Sequence, residues 1–148
     1  MDEKVPLSPH FTLEQLCTCP SRPDLQFKNR FEAAAHEEPL RNLCATLLEP
    51  IRQKFGPTIV TSGYRSETLN KAVGGAADSQ HVRGEAADFV VPGTSLDNVF
   101  DWIRQSELPF GQVIREPRWI HISLGAPYRP QATCRQALRF DGKKYTEA

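Results

Sequence analysis

Two short segments of the chain each carry a potential metal ligand inside a strand-like pattern. Asp88 opens an apolar run over residues 89–91, and His121 stands where apolar and polar residues partly alternate. Both patterns predict β-strands with a buried face. A third polar residue, His81, precedes Asp88, and Gly84 between them lets the backbone turn without a steric penalty. A fold in which these side chains meet must therefore bring two strands and one loop together.

His81, Asp88 and His121 form a ligand set that suits one Zn²⁺ per chain. Two imidazoles and one carboxylate give zinc three protein bonds and leave the fourth position to water, which is the arrangement of a catalytic zinc. Three polar residues in a domain of this size are more often surface or core groups that bind nothing. Spacing and context alone leave both interpretations open.

Four segments of the chain resemble those of zinc D-Ala-D-Ala carboxypeptidases and related cell-wall endopeptidases. That group shares its fold with lysostaphin-type enzymes and the hedgehog signalling domain. The resemblance runs from about His10 to about Leu124 and is closest to small members encoded by phages and prophages. The matching segments are Thr61–Ser66, Leu69–Gly75, Phe110–Glu116, and Ser79–Asp88 with Trp119–His121.

This resemblance implies a zinc metallopeptidase that hydrolyses an amide bond of peptidoglycan stem peptides, as an endolysin does. D-Ala-D-Ala carboxypeptidase and L-Ala-D-Glu endopeptidase activities both occur among similar enzymes, and the matching segments do not distinguish them. The alternative is a non-catalytic, zinc-bearing binding or structural module of the same fold, for example a phage tail component. A cysteine hydrolase, insensitive to chelators, is a third hypothesis.

The resemblance also implies two catalytic residues beside the ligands. Arg65 matches the arginine that faces the substrate carbonyl or carboxylate, and a guanidinium suits an oxyanion that develops there. Glu116 is the candidate general base, five residues before His121. Similar enzymes often place an acidic residue three residues before this histidine, where the present chain has Arg118. The alternative for Glu116 is a surface ion pair with Arg115 or Arg118.

Four further residues near these motifs have weaker interpretations. Ser79 and Gln80 are predicted to hydrogen-bond substrate or to close the loop before the first ligand. Trp119 is interpreted as a packing residue behind the metal. Gln112 is interpreted as a support for the site from behind the ligands.

Composition restricts the class of partner. The 148 residues include 18 basic and 18 acidic ones, so the basic face expected of a nucleic-acid binder is not indicated. No stretch reaches the ~18 uninterrupted apolar residues of a membrane span. The N-terminus lacks the pattern of a secretory signal. We expect synthesis in the cytoplasm, a monomer, and action on the cell wall after release or delivery, or as part of a phage particle.

The four cysteines do not resemble a second metal site. Cys17 and Cys19 are separated by one residue, whereas a zinc knuckle has two between its cysteines, and no cysteine lies near the histidine cluster. We expect Cys17, Cys19, Cys44 and Cys134 to be buried or partly buried free thiols.

The remaining patterns predict the fold. A capping-box pattern begins a short helix at Thr12, a leucine-rich stripe predicts the main amphipathic helix over residues 38–55, kinked at Pro50, and Ser66 and Ser95 cap two further helices. Segregated helices and short strands predict an α+β fold with a small antiparallel sheet that carries the zinc site and is flanked by helices. A single domain is expected over residues 1–148, with frayed termini at about 1–8 and 142–148.

Overall fold

The computed structural model describes residues 4–125, Tyr128 and residues 135–148. Short 3₁₀ turns lie at Pro23–Leu25, Ala34–His36 and Gln80–Arg83. The helices in these residues are α1 (Leu13–Leu16), α2 (Gln26–Ala33), α3 (Glu37–Leu43), α4 (Glu49–Phe55), α5 (Glu67–Ala72) and α6 (Leu96–Gln105). The strands are β1 (Pro6–Ser8), β2 (Phe11–Thr12), β3 (Ile59–Ser62), β4 (Ala86–Val90), β5 (Phe110–Arg115), β6 (Ile120–Leu124), β7 (Gln136–Phe140) and β8 (Tyr145–Glu147).

The structure confirms the predicted N-terminal caps of three helices. The Thr12 side chain accepts the N–H of Gln15 while the Gln15 side chain returns to the backbone of Thr12, so the capping box before α1 is confirmed. Ser66 caps α5 and Ser95 caps α6, each through its side-chain oxygen. These contacts are local, which is why sequence spacing is sufficient to find them.

The predicted main helix is one helical run in three parts. Between α3 and α4 the turns at Cys44–Leu48 widen to a π-helix, just before Pro50. In a regular α-helix the Pro50 ring would crowd the carbonyl of Thr46, and the wider turn relieves this contact. The inward stripe is completely buried and comprises Leu40, Leu43, Leu47, Leu48 and Ile51.

A six-stranded sheet in the order β3-β4-β6-β5-β7-β8 lies against these helices. Its pairs are antiparallel except β5 and β7, which run parallel. The α+β class is thus confirmed, with one parallel pair where an antiparallel sheet was expected. A separate two-stranded sheet joins β1 and β2.

The two faces of the large sheet have different roles. Directly opposed residues on paired strands point to the same face. One face is apolar and packs with α6 in the core, through Ala87, Phe89, Val113, Ile120 and Ile122. The opposite face carries a row that crosses all six strands in register, and this row consists of Ser62, Asp88, His121, Ile114, Leu138 and Glu147. Two of the predicted metal ligands therefore lie side by side.

Both ends of the chain contain strands where the sequence predicts fraying. Residues 6–8 pair with β2, and residues 145–147 pair with β7, whereas residues 1–3 lie outside the described part. The turn before β8 is closed by Asp141, whose Oδ1 accepts the backbone N–H groups of Lys143 and Lys144 at 2.8 and 2.9 Å. An aspartate that satisfies the turn backbone in this way stabilises a hairpin.

Gly63 follows β3 at a point where the backbone passes very close to α1. A Cβ atom at this position would lie 2.2 Å from the carbonyl oxygen of Leu16, which also accepts the N–H of Tyr64 at 2.6 Å. We expect Gly63→Ala to lower the free energy of unfolding by about 3 kcal/mol, because the backbone itself would have to move. Urea denaturation followed by circular dichroism measures the loss.

Gly93→Ala is the matched control for Gly63→Ala. Gly93 has φ +85°, and a Cβ there would meet nothing within 4 Å. Gly63, unlike Gly93, does not have a positive φ, so Gly93→Ala measures the cost of a left-handed conformation, about 1–2 kcal/mol, whereas Gly63→Ala measures the steric cost. Equal losses in the two variants would contradict the steric explanation.

Candidate metal centre

Three side chains converge on the polar face of the sheet. His81 comes from the 3₁₀ turn before β4, Asp88 from β4 and His121 from β6, and one potential ligand atom of each lies within 4.8 Å of the others. Asp88 Oδ1 is 2.8 Å from His121 Nδ1 and 3.3 Å from His81 Nε2. The structure brings together the three residues predicted as ligands, and their binding of an ion stays a prediction.

The imidazole of His81 indicates that these residues fit a cation. Its Nδ1 lies 2.7 Å from the carbonyl oxygen of Gly63, which can only accept, so Nδ1 carries the proton. Nε2 of the neutral ring then presents a lone pair, is buried, and has no hydrogen-bond partner among the described residues. This lone pair faces Asp88 Oδ1, another acceptor. Two acceptors held together in a buried position are stabilised by a divalent ion between them.

The electrostatics favour the protonation states that metal binding would require of two predicted ligands, His81 and Asp88. Burial lowers the pKa of the His81 imidazole and so favours the neutral ring. Burial opposes the charge on Asp88, but the positive charge that the imidazoles of His81 and His121 carry in their protonated forms outweighs it, so the pKa of this carboxyl lies well below its usual range. A neutral imidazole and an ionised carboxylate are the ligand forms that metal binding requires.

Arg65 lies beside Asp88 and is largely buried. Its guanidinium donates to Asp88 Oδ2 at 3.4 Å, to Ser62 Oγ at 3.1 Å and to Asn70 Oδ1 at 3.0 Å. Its backbone N–H donates to the carbonyl of His81 at 3.0 Å. The guanidinium is therefore fixed next to the ligand cluster while it still borders the open cleft.

Glu116 lies at the same cluster, just beyond the end of β5. Ile114 pairs with His121 across the sheet, so Glu116, two residues further, points to the same face. Its carboxyl is largely buried, and this burial raises its pKa. Arg115 donates instead to Asp97 at 3.0 Å. The geometry therefore disfavours the alternative of a surface ion pair between Glu116 and Arg115.

Ser79, Gln80 and Gln112 border the cleft, and each makes hydrogen bonds to other residues of the protein. Ser79 Oγ accepts the N–H of His81 at 3.2 Å, and Gln80 Nε2 donates to the Leu124 carbonyl at 3.1 Å. The Gln112 amide donates to Gln136 Oε1 at 2.8 Å. Ser79 and Gln80 hold the turn that presents His81, and their contact with substrate stays a prediction.

A cleft of about 630 Å³ opens over the cluster, within the usual size range of ligand sites. A second cavity of about 420 Å³ continues it and shares Arg65, Asp88 and Trp119 with it. Trp119 is thus a partly exposed residue that lines both cavities, and its packing behind the metal stays a prediction. Phe140 and Tyr145 from β7 and β8 form part of the opposite wall.

A comparison with protein-family models gives one match. The model for peptidase M15 matches residues 9–123, which include the whole His81–Asp88–His121 cluster. The chain belongs to the peptidase M15 family. This M15 peptidase is therefore a hydrolase that acts on a peptide substrate, and its family is metal-dependent. The resemblance to zinc D-Ala-D-Ala carboxypeptidases is confirmed at the level of the family. A search of curated proteins found no match.

Two buried asparagines of this M15 peptidase were not identified from the sequence. Asn29 of α2 donates to the carbonyls of Cys17 and Tyr64 at 2.8 and 3.0 Å and accepts the N–H of Ser66 at 2.7 Å. Asn70 accepts from Arg65 and donates to the Ala76 carbonyl at 2.8 Å. Together they fix the backbone and side chain of Arg65. An asparagine inside a helix, where its propensity is low, is the only sequence signal for either residue.

The described cysteines of the M15 peptidase are free and buried, namely Cys17, Cys19 and Cys44. Burial raises the pKa of Cys17 to about 11 and that of Cys44 to about 12. Both thiols stay protonated near neutral pH, which disfavours the cysteine hydrolase. Cys134 lies outside the described residues.

Within the described ranges, no helix is both long and apolar enough to cross a membrane.

Proposed function

We propose that this M15 peptidase hydrolyses an amide bond in peptidoglycan stem peptides and uses Zn²⁺ held by His81, Asp88 and His121. One observation carries the proposal: three potential ligand atoms meet within 4.8 Å in an open cleft, and the buried Nε2 of His81 has no hydrogen-bond partner in the part of the chain that the structure describes. Arg65 and Glu116 border the same cleft. These are the groups that amide hydrolysis requires.

Each residue has a distinct part in the proposed reaction. A divalent metal held by His81, Asp88 and His121 would polarise the scissile carbonyl and lower the pKa of the attacking water. Glu116 takes a proton from this water as the new C–O bond forms, and gives the proton to the amine nitrogen as the C–N bond breaks. The raised pKa of Glu116 suits a carboxyl that must first accept the proton and then return it. Arg65 donates to the oxygen on which negative charge develops.

The shape of the site is compatible with hydrolysis of either of two peptidoglycan bonds. The cavities on either side of Asp88 can hold residues on both sides of a scissile bond, which suits an L-Ala-D-Glu endopeptidase. Arg65 at their junction can instead bind a terminal carboxylate, which suits a D-Ala-D-Ala carboxypeptidase. The products of digestion distinguish these two activities.

The proposed place of action is the cell wall. The enzyme acts as a monomer on the cell wall, either after release or delivery or as part of a phage particle. Because its formal net charge is zero, long-range attraction to an anionic wall is weak. Recognition then depends on contacts inside the cleft.

Digestion of purified peptidoglycan tests the proposed function. We expect new amino groups to appear, to disappear with a chelator and to return when Zn²⁺ is added back. Mass spectrometry of the products reports a terminal D-Ala or a newly exposed D-Glu. Absence of amino-group release by a folded, zinc-loaded sample would refute the proposal and favour a peptide substrate outside the cell wall.

A further inference from the structure

The β7–β8 hairpin lies beyond the matched residues 9–123, yet it extends the site face of the sheet. β7 pairs with β5 so that Leu138 stands opposite Ile114, and β8 pairs with β7 so that Tyr145 stands opposite Phe140. Phe140 and Tyr145 consequently point to the same face as His121 and Glu116. The hairpin is part of the cleft and not a separate appendage.

Two arginines fix this hairpin to the body of the protein. Arg139 bonds Asp97 at 3.1 Å and Asp101 at 3.4 Å, and its guanidinium lies 4.8 Å from the ring centre of Phe100. Arg135 donates to the Ser106 carbonyl at 2.5 Å. Together with the parallel ladder between β5 and β7, these contacts give the wall a defined position relative to the metal centre.

The hairpin presents an aromatic pair to the cleft. The rings of Phe140 and Tyr145 are 4.4 Å apart with an angle of 32° between their planes, and Tyr145 remains 53% exposed. Burial of the phenol, followed by the charges of Glu116 and Asp88, raises its pKa. The hydroxyl therefore stays protonated and can donate a hydrogen bond. A partly exposed aromatic ring with a donor at its tip is well suited to contact a peptide.

The position of Tyr145 determines which part of a substrate it can reach. Glu116 adjoins β5 and Tyr145 lies on β8, two strand spacings away, which corresponds to about 10 Å. An extended peptide covers this distance with roughly three residues. Arg65 lies toward β3, at the other end of the sheet, so Arg65 and Tyr145 flank the scissile bond from opposite sides.

We propose that Tyr145, supported by Phe140, is a substrate-binding residue that selects for peptide length. Its hydroxyl donates to a backbone carbonyl of the bound stem peptide, roughly three residues from the scissile bond, and its ring packs against the same segment. This inference rests on the proposed function, because the ligand is the stem peptide. It predicts that Tyr145 strengthens the binding of longer peptides and does not affect the binding of short ones.

Kinetics on synthetic stem peptides of increasing length, with metal-loaded Tyr145→Phe and Tyr145→Ala, test the inference. For peptides that reach the hairpin we expect KM to rise about threefold when only the hydroxyl is lost. The rise is expected to be about tenfold when the ring is lost too. For the shortest peptides KM stays unchanged, and metal content stays the same throughout. Phe27→Ala is the control, because Phe27 is 85% exposed on α2 and does not line the cleft.

The outcomes separate this inference from the proposed function. If Tyr145→Phe and Tyr145→Ala raise KM equally for short and long peptides, or leave KM unchanged, Tyr145 does not select for length. If the wild-type enzyme hydrolyses no stem peptide, the proposed function fails, and calorimetric titration of the same peptides into zinc-loaded protein then decides the inference. Tighter binding of long peptides to wild type than to Tyr145→Ala supports it, whereas equal binding or none overturns it.

Discussion

His121→Ala is expected to abolish stoichiometric metal binding and to lower kcat/KM by about a thousandfold or more. Polarisation by a metal contributes several kcal/mol, and each 1.4 kcal/mol corresponds to about tenfold in rate. His121 is the most informative of the three predicted ligands to remove, because its hydrogen bond goes to Asp88, whereas His81 also bonds the Gly63 backbone at 2.7 Å. Loss of His121 therefore removes one predicted ligand and keeps the hydrogen bond between His81 and Gly63.

Metal content by plasma mass spectrometry and zinc affinity by calorimetry measure this effect directly. His10→Ala is the matched control, because His10 is exposed and pairs with Glu49 at 2.8 Å, away from the cluster. The control should retain one ion per chain and full activity. One tightly bound ion per chain in His121→Ala would show that the ligand set is assigned wrongly.

Glu116→Gln is expected to lower kcat by about 10²- to 10⁴-fold, the usual contribution of a general base, while the metal stays bound. The amide has nearly the shape of the carboxyl but cannot take a proton from water. Kinetics on a stem peptide, with metal content measured on the same sample, tests this expectation. Glu38→Gln, at an exposed position of α3, is the control and should retain wild-type rates.

Stability gives an independent measure of the same substitution. Burial raises the pKa of Glu116 in the folded, metal-free protein, so ionisation of this carboxyl opposes folding as pH rises through that pKa. At neutral pH the metal-free Glu116→Gln protein is therefore expected to be as stable as wild type or slightly more so. A large loss of stability together with the loss of activity would point to a structural role for Glu116.

The sequence was sufficient to predict the structure wherever residues close together in the chain determine it. The caps at Thr12, Ser66 and Ser95 depend on contacts three residues apart, and the stripe along α3 and α4 follows from helical spacing. The turn between His81 and Asp88 could be predicted from the sequence for the same reason. Gly84 has φ +73° and closes the turn after His81, as expected from the freedom of glycine at this point.

The C-terminal hairpin shows where sequence reasoning fell short. Asp141-Gly142 is a turn signal, but the residues after it, Lys143 to Glu147, include only one large apolar side chain, so no strand was predicted there. All five residues of β7 are only partly buried, so alternation of buried and exposed positions is weak there. The parallel pairing of β7 with β5 joins residues 24 positions apart, and no local pattern encodes such a partner.

The sequence by itself determined the candidate residues of the site: the three predicted ligands, the arginine and the acidic residue, each inside a segment whose local structure it also specifies. Only the tertiary structure decided how they meet. Asp88 and His121 become neighbours through the register of β4 with β6, and Arg65 is oriented by Asn70. The physical reason is how far apart the interacting residues lie in the sequence. Caps and turns form between residues that are close in the chain. Strand register and buried hydrogen bonds are instead fixed by packing between segments far apart.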